Sequence, residues 1–244
     1  ELGLVIVMNQ SGLEFLVHEG HDLVPPDVPV ILSIVQNAQL ALSSTSRSIV
    51  SVVGQPDVAG TLRHGLVLFP RTRRVVVVTG AGEEQAPVFE PAVEALAKMP
   101  NQPALEDTRA LRYDKMLERI SSLPPDSIIL MGTYFKDQTG RSFAPIEVVA
   151  EVAKRANVPV FGLYDSHIRQ GLAGGSVLIT ATVGRRLGDI GFDLLTGALK
   201  PADAGASNTA VPPTPMFDWG QLKRWGADPA KLPADTLFLN RPRT

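Results

Sequence analysis

The chain has no cysteine in 244 residues. Disulfides, thiolate metal sites and a cysteine nucleophile are therefore excluded. The compartment is not decided by this. Oxidising compartments permit disulfides without requiring them, and a chain this long can hold a core without staples. A charge excess is also lacking: 23 Lys and Arg stand against 25 Asp and Glu, for a formal net charge of −2 and a pI near 6.1. A generic nucleic-acid binder would carry a basic excess or stripe, so that class is set aside. Long apolar runs are missing too. The most apolar stretch, Val28 to Val35, is short, contains Pro29 and follows Pro25-Pro26. A bilayer span needs roughly 20 such residues. The chain opens Glu1-Leu2-Gly3, without an initiator Met or a signal peptide, and so reads as a fragment or processed product.

What remains is ordinary globular composition, 44% hydrophobic and 20% charged. The length suits one large domain or two lobes of roughly 100–150 residues. Apolar, β-branched runs alternate with helical periodicity. The strand candidates are Leu4–Met8, Val28–Val35, Arg74–Thr79, Ala104–Leu111, Ser127–Met131 and Val158–Leu163. The helix candidates are Gly12–His18, Asp57–Phe69, Gln85–Met99, Tyr113–Leu123, Pro145–Ala156 and Thr180–Leu199. Near-continuous apolar strands separated by helices indicate parallel sheets buried on both faces, hence a doubly wound α/β class. Leu42 to Val53 interrupts the alternation and reads as a crossover between lobes. Pro201 to Pro215 reads as a linker or an extended edge strand. Asp218 to Gly226 reads as a short helix with an acidic N-cap and a glycine stop, followed by a last strand near Thr236–Leu239.

Few arrangements carry chemistry. Asp165-Ser166-His167 holds all three triad residue types, but consecutive side chains diverge and cannot form a Ser–His–Asp relay. At a strand end they read better, with Tyr164, as a ligand-contacting loop. Gly80-Ala81-Gly82 follows a strong strand without completing a dinucleotide fingerprint, and Glu83 and Glu84 would repel a phosphate. No P-loop is present, so no cofactor is expected. His18 and His21, beside Glu19 and Asp22, lack a third ligand and read as a solvated helix end. Gly174-Gly175-Ser176 permits close approach of a ligand or another strand, or is a plain loop. Met131 to Gly140 leaves a buried strand with Tyr134, Phe135, Lys136 and Asp137; these line a small-molecule cleft, or Phe135 packs as core while Lys136 and Asp137 are solvated. Asn9-Gln10 and Gln36-Asn37 put uncharged amides at other strand ends. No nucleophile and base converge, so binding rather than catalysis is expected.

Five segments, in order, carry a family resemblance. They are Leu4–Met8 with Ser11–Leu16; Leu23–Val30; Leu68–Val75; Gly174–Ser176 with Gly184–Gly188; and Phe217–Gly226 with Leu232-Pro233. Together they resemble the periplasmic-binding-protein-like domains related to substrate-binding proteins of ABC transporters, in the variant found as extracytoplasmic sensor regions of bacterial two-component histidine kinases. The Phe217–Gly226 tail is the segment most similar to the kinase-linked variant.

The resemblance implies two doubly wound α/β lobes joined by a hinge, of the type I periplasmic-binding-protein kind. Residues 1–53 with 206–244 would form an N-terminal-type lobe and residues 54–205 a C-terminal-type lobe. It also implies two βα units ahead of Glu1, so that the first lobe reads as incomplete. A small organic molecule would bind between the lobes, with Asn9, Gln10, Gln36 and Asn37 from one lobe and Tyr134, Phe135, Asp137, Tyr164 and Asp165 from the other. The aromatics would stack on the ligand while the amides and Asp orient it. The implied partner is a kinase module, or an ABC permease if the chain is a free importer component; a homodimer is compatible with either, and the implied location is extracytoplasmic and membrane-tethered.

Overall fold

The computed structural model describes residues 2–20, 22–33, 48–52, 54–82, 88–99, 101–203 and 210–242. In chain order the first elements are β1 (Val5–Met8), α1 (Asn9–His18), β2 (Val30–Ser33), β3 (Ile49–Val52), α2 (Val58–Leu68), β4 (Arg74–Val78), α3 (Phe89–Ala97), β5 (Ala104–Asp107) and α4 (Tyr113–Ile120). They continue with β6 (Ser127–Met131), α5 (Pro145–Arg155), β7 (Val160–Gly162), α6 (Asp165–Ile168), β8 (Gly174–Val177), α7 (Thr180–Thr196), β9 (Thr214–Asp218), α8 (Trp219–Arg224) and β10 (Leu237–Leu239). The chain divides into two units. One comprises Glu1–Gln55 and Thr180–Pro212, the other Pro56–Ile179 and Pro213–Thr244.

In the first unit β1, β2 and β3 form a parallel sheet in that order, with Val5 opposite Val30 and Val30 opposite Ile49. Val7, Leu13, Leu16, Val30 and Leu32 make a core between the sheet and α1. Helix α7 packs against β2 and β3. Its Gly191 faces Leu4 so closely that a Cβ there would lie 2.9 Å from Leu4 Cδ2.

The second unit is built on a seven-stranded sheet of order β10-β9-β8-β7-β6-β4-β5. All neighbouring strands run parallel except β8 and β9. Its centre follows from the valine run. Val75 to Val78 are fully buried, because helices cover both faces and successive side chains alternate between them. Val76, Val78, Ile129 and Met131 meet Met116, Ile120, Val148 and Val152 of α4 and α5 on one side. Val75, Val77, Ile128 and Leu130 meet Val58, Leu62, Leu96 and Phe217 on the other. The Asp57 carboxylate caps α2 by accepting from Gly60 N at 2.8 Å, and Pro145 opens α5.

The α/β class and most elements match the sequence reading; the assignment of segments to units does not. The resemblance places residues 206–244 in the first lobe, yet β9 and β10 complete the seven-stranded sheet of the second. The resemblance places the long helix at Thr180 in the second lobe, yet α7 packs on β2 and β3 of the first. The reason is burial. Phe217 is fully buried in the second unit's core, and Val183, Leu187 and Ile190 bury the apolar face of α7. Three strands differ from the sequence reading: β3 lies within the expected crossover, β8 lies in the glycine run, and β9 starts in the last two residues of the segment read as a linker or extended edge strand and runs on to Asp218.

Candidate functional site

In an open parallel sheet the strands end, and the following helices begin, at the carboxyl edge. Amide donors converge there, and ligands bind there. In the second unit β4, β6 and β7 deliver Thr79–Gly82, Gly132–Ala144 and Leu163–His167 to that edge. The first two segments are tied together. The Thr79 hydroxyl donates to Thr133 O at 2.8 Å, Gly80 N to Thr133 O at 2.9 Å, and Ala81 N to Lys136 O at 2.9 Å. The third is tied to the segment after β8, where Leu178 N donates to Leu163 O at 2.9 Å and Tyr164 bridges Leu178. The edge is thus a stiff platform, with Thr133, Tyr164, Asp165 and Ser166 near its surface.

The structure divides the expected site residues by role. Tyr134 is only 1% exposed and packs edge-on to Tyr113 and Phe143, at ring distances of 5.9 and 5.6 Å. Burial, with the Asp137 charge adding to it, raises the pKa of its phenol. It is a core aromatic, and Phe135 beside it is the exposed ring at 45%. The two readings of that loop are therefore reversed at the aromatic pair: Tyr134 turns inward and Phe135 outward, because Tyr134 packs with Tyr113 and Phe143 in the core beneath α4 and α5.

Asp137 is buried and spent on its own turn. Its Oδ1 accepts from Thr139 N at 2.9 Å, the Thr139 hydroxyl at 2.5 Å and Arg141 N at 3.2 Å, and its Oδ2 accepts from Tyr113 N at 3.3 Å. Burial acts to raise its pKa, but these donors prevail and hold it below the usual carboxylate value. Gly140, at φ 82°, closes the turn by donating to Asp137 O. The expectation that Asp137 orients a ligand gives way to this structural role.

Tyr164 is half-buried. Burial raises its pKa, and a hydrogen bond with the Thr133 side chain opposes this. Asp165 is buried in the first turn of α6, with Arg169 Nε 3.8 Å from its carboxylate. These two remain at the edge as expected. Asn9 and Gln10 belong to the first unit. Asn9 adopts φ 73° and accepts from Gly12 N at 3.0 Å through its side chain, and Gln10 donates to Glu14 at 3.2 Å. Both begin α1 just past the end of β1. Gln36 and Asn37 lie outside the described residues.

Two features were missed. His167 is 6% exposed and its Nδ1 has no hydrogen-bond partner. Its ring meets Tyr164 at 5.0 Å, and a Cβ on Gly162 would lie 2.8 Å from its own. Desolvation pushes its pKa down to about 4, although Asp165 acts to raise it. Consecutive placement beside Asp165 and Ser166 drew attention to a triad rather than to burial. The second feature is a buried network at β8: Ser176 donates its hydroxyl to Asp57 Oδ2 at 2.7 Å and its amide to Thr61 Oγ1 at 3.0 Å. The glycines preceding it allow strand packing, since a Cβ at Gly175 would lie 2.0 Å from Gly162 O.

The unit also has clefts of about 620 and 370 Å3 at the opposite, amino edge, lined by Pro70–Arg73, Pro125-Asp126 and, in the smaller, Asn157–Pro159 and Trp225. They sit among the turns that precede β4, β6 and β7, where helices end and no amide donors converge. The carboxyl edge is therefore the better candidate. Among the described residues, no group of three His, Asp or Glu side chains is placed to hold a metal ion.

No family model and no curated protein matches the sequence. Solved structures do match the fold. A conserved domain protein from Vibrio cholerae shares 15% identity over 97% of this chain and 78% of its own, with a TM-score of 0.69. An ABC domain in complex with L-Trp from Streptococcus pneumonia shares 12% over 97% of this chain and 81% of its own, also at 0.69. The ligand-free, open structure of a substrate binding protein with adhesive properties from Clostridium difficile shares 14% over 97% and 78%, at 0.62. With two α/β units and this likeness along nearly its whole length, the chain has the fold of the periplasmic substrate-binding proteins.

Proposed function

We propose that the chain is a non-catalytic, extracytoplasmic ligand-sensing domain that binds a small organic molecule and relays binding to a histidine kinase by hinge closure. The observation that carries this reading is the stiff carboxyl edge of β4, β6 and β7, bearing Tyr164 and Asp165, on a fold otherwise used to bind small ligands. A ligand shifts a hinge equilibrium only by its differential affinity for the two states. The chain passes between its units at residues 55–56, 179–180 and 212–213, which are the positions a hinge would use. Aromatic and amide groups at strand ends suit a neutral or zwitterionic ligand, and the L-Trp bound by the Streptococcus protein makes amino acids the first class to try. The sensor role draws support from the Phe217–Gly226 tail, whose capped helix and glycine stop are both formed.

The second reading is a free substrate-binding protein of an ABC importer. The Clostridium difficile substrate binding protein favours it. A thermal-shift screen of amino acids, organic acids, aromatic compounds and purines tests binding itself. A ligand at a hundredfold excess over its dissociation constant stabilises the folded form by about 2.7 kcal/mol. A shift with one chemical class supports the site, and a flat screen counts against it. The coding sequence after Thr244 separates the roles: a membrane span followed by a kinase supports the sensor, and a stop codon the importer.

A further inference from the structure

Residues 213–244 hold five basic side chains against three acidic, in a chain whose formal net charge is −2. Two of the three acids are committed internally. Asp218 accepts from Gln221 N at 2.8 Å and from Asn240 Nδ2 at 2.5 Å, and Asp228 accepts from Ala230 N at 3.0 Å. The Asp218–Asn240 bond pins the end of β10 to the start of α8, and so brings Arg241 over the aromatic rings of both elements. Its guanidinium lies 5.0 Å from the Trp219 ring centre and 5.5 Å from that of Phe238. Those two rings meet edge-on at 5.4 Å. Lys223 Nζ lies 5.5 Å from the Trp219 ring, and the Arg224 guanidinium 4.7 Å from that of Trp225. All three cations are exposed, and among the described residues none of them forms an ion pair.

We propose that this cation-capped aromatic face docks on an anionic lipid surface. Tryptophan and arginine side chains, apolar in the body and polar at the tip, are suited to headgroup depth. Unpaired cations above the rings would meet lipid phosphates. A nucleic acid would need a longer track of cations than three. The proposal concerns the tail alone and stands whether or not the carboxyl edge of β4, β6 and β7 binds a ligand.

The test mixes the 244-residue chain with vesicles of phosphatidylcholine alone, or of phosphatidylcholine with phosphatidylglycerol. The chain has two tryptophans, Trp219 against Lys223 and Arg241 and Trp225 against Arg224, so intrinsic fluorescence reports a change of surroundings at these cations. The expected result is sedimentation with the anionic vesicles only, a blue shift of tryptophan emission, and release by added salt. Each cation near an anionic surface is worth about fivefold in partitioning. The triple variant Lys223→Gln, Arg224→Gln, Arg241→Gln should therefore bind on the order of a hundredfold more weakly. Its thermal midpoint without lipid should be unchanged, because the three heads are exposed. Equal binding to both vesicle types, no binding, an unaltered emission maximum on binding, or full binding by the folded triple variant would each overturn the proposal. If the triple variant fails to fold, salt release and the fluorescence shift of the unmodified chain decide it.

Discussion

Acid should loosen the second unit through His167. Its imidazole is buried with Nδ1 unpartnered, so the fold accommodates the neutral ring and penalises the charged one. The pKa is 6.5 for an ordinary histidine and is pushed down to about 4 here. Because the folded value lies below the unfolded one, the unfolded chain binds the proton more tightly. The stabilising contribution is complete above pH 6.5 and is lost as pH falls from there towards about 4. Two and a half units correspond to about 3 kcal/mol. The measurement is denaturant unfolding of the wild type and of His167→Gln at several values between about pH 7 and pH 4.5. Buried carboxylates such as Asp137, whose pKa is lowered, also lose stability on acidification, but they do so in both proteins and cancel in the difference. His64, half-buried against Phe217 with its pKa lowered by burial and by Arg63, cancels in the same way. By the lower end of the range the wild type should have lost about 2 kcal/mol more than the variant. Parallel stability curves would refute the reasoning.

The glycines of β8 and α7 should respond oppositely to alanine. Gly175→Ala drives a Cβ against Gly162 O and should cost about 3 kcal/mol or prevent folding, whereas Gly184→Ala meets nothing within 4 Å on an exposed helical face and should stabilise by roughly 0.5–1 kcal/mol; thermal midpoints check both. Asp137→Ala strands a hydroxyl and three amides and should cost about 2 kcal/mol by denaturant unfolding. Were Asp137 instead a ligand-orienting group, stability would hold and only affinity would fall.

Where the sequence was legible, one signal dominated. Val75–Val78 and Ser127–Met131 announce central strands because a parallel sheet buried on both faces admits little but apolar residues. Helices such as α5, opened by Pro145 and closed near Lys154-Arg155, carry their own end signals. The strands that were missed obey a different logic. β8 is Gly-Gly-Ser-Val, with its glycines dictated by Phe217 and by the Gly162 carbonyl, neither adjacent in sequence. β9 begins Thr214-Pro215 and is the antiparallel partner of β8. Propensity reads both as loops, and only the neighbours make them strands.

The same distinction explains the candidate site. Sequence can place a loop at the carboxyl edge, since that follows from strand direction alone, and the Tyr134 and Tyr164 loops are both there. It cannot say which side chain of a loop turns inward. Tyr134 and Phe135 are equally aromatic, and the choice between them is made by Tyr113 and Phe143, whose rings complete a cluster that only Tyr134 can reach. Asp137 looked like a ligand group because a carboxylate beside aromatics is scarce, yet three nearby amides and a hydroxyl had already claimed it. A polar residue at such an edge is available to a ligand only after the loop's own backbone donors are satisfied. Tyr164 passes that test better than Asp137, because the Leu178 bridge orders its segment through the backbone.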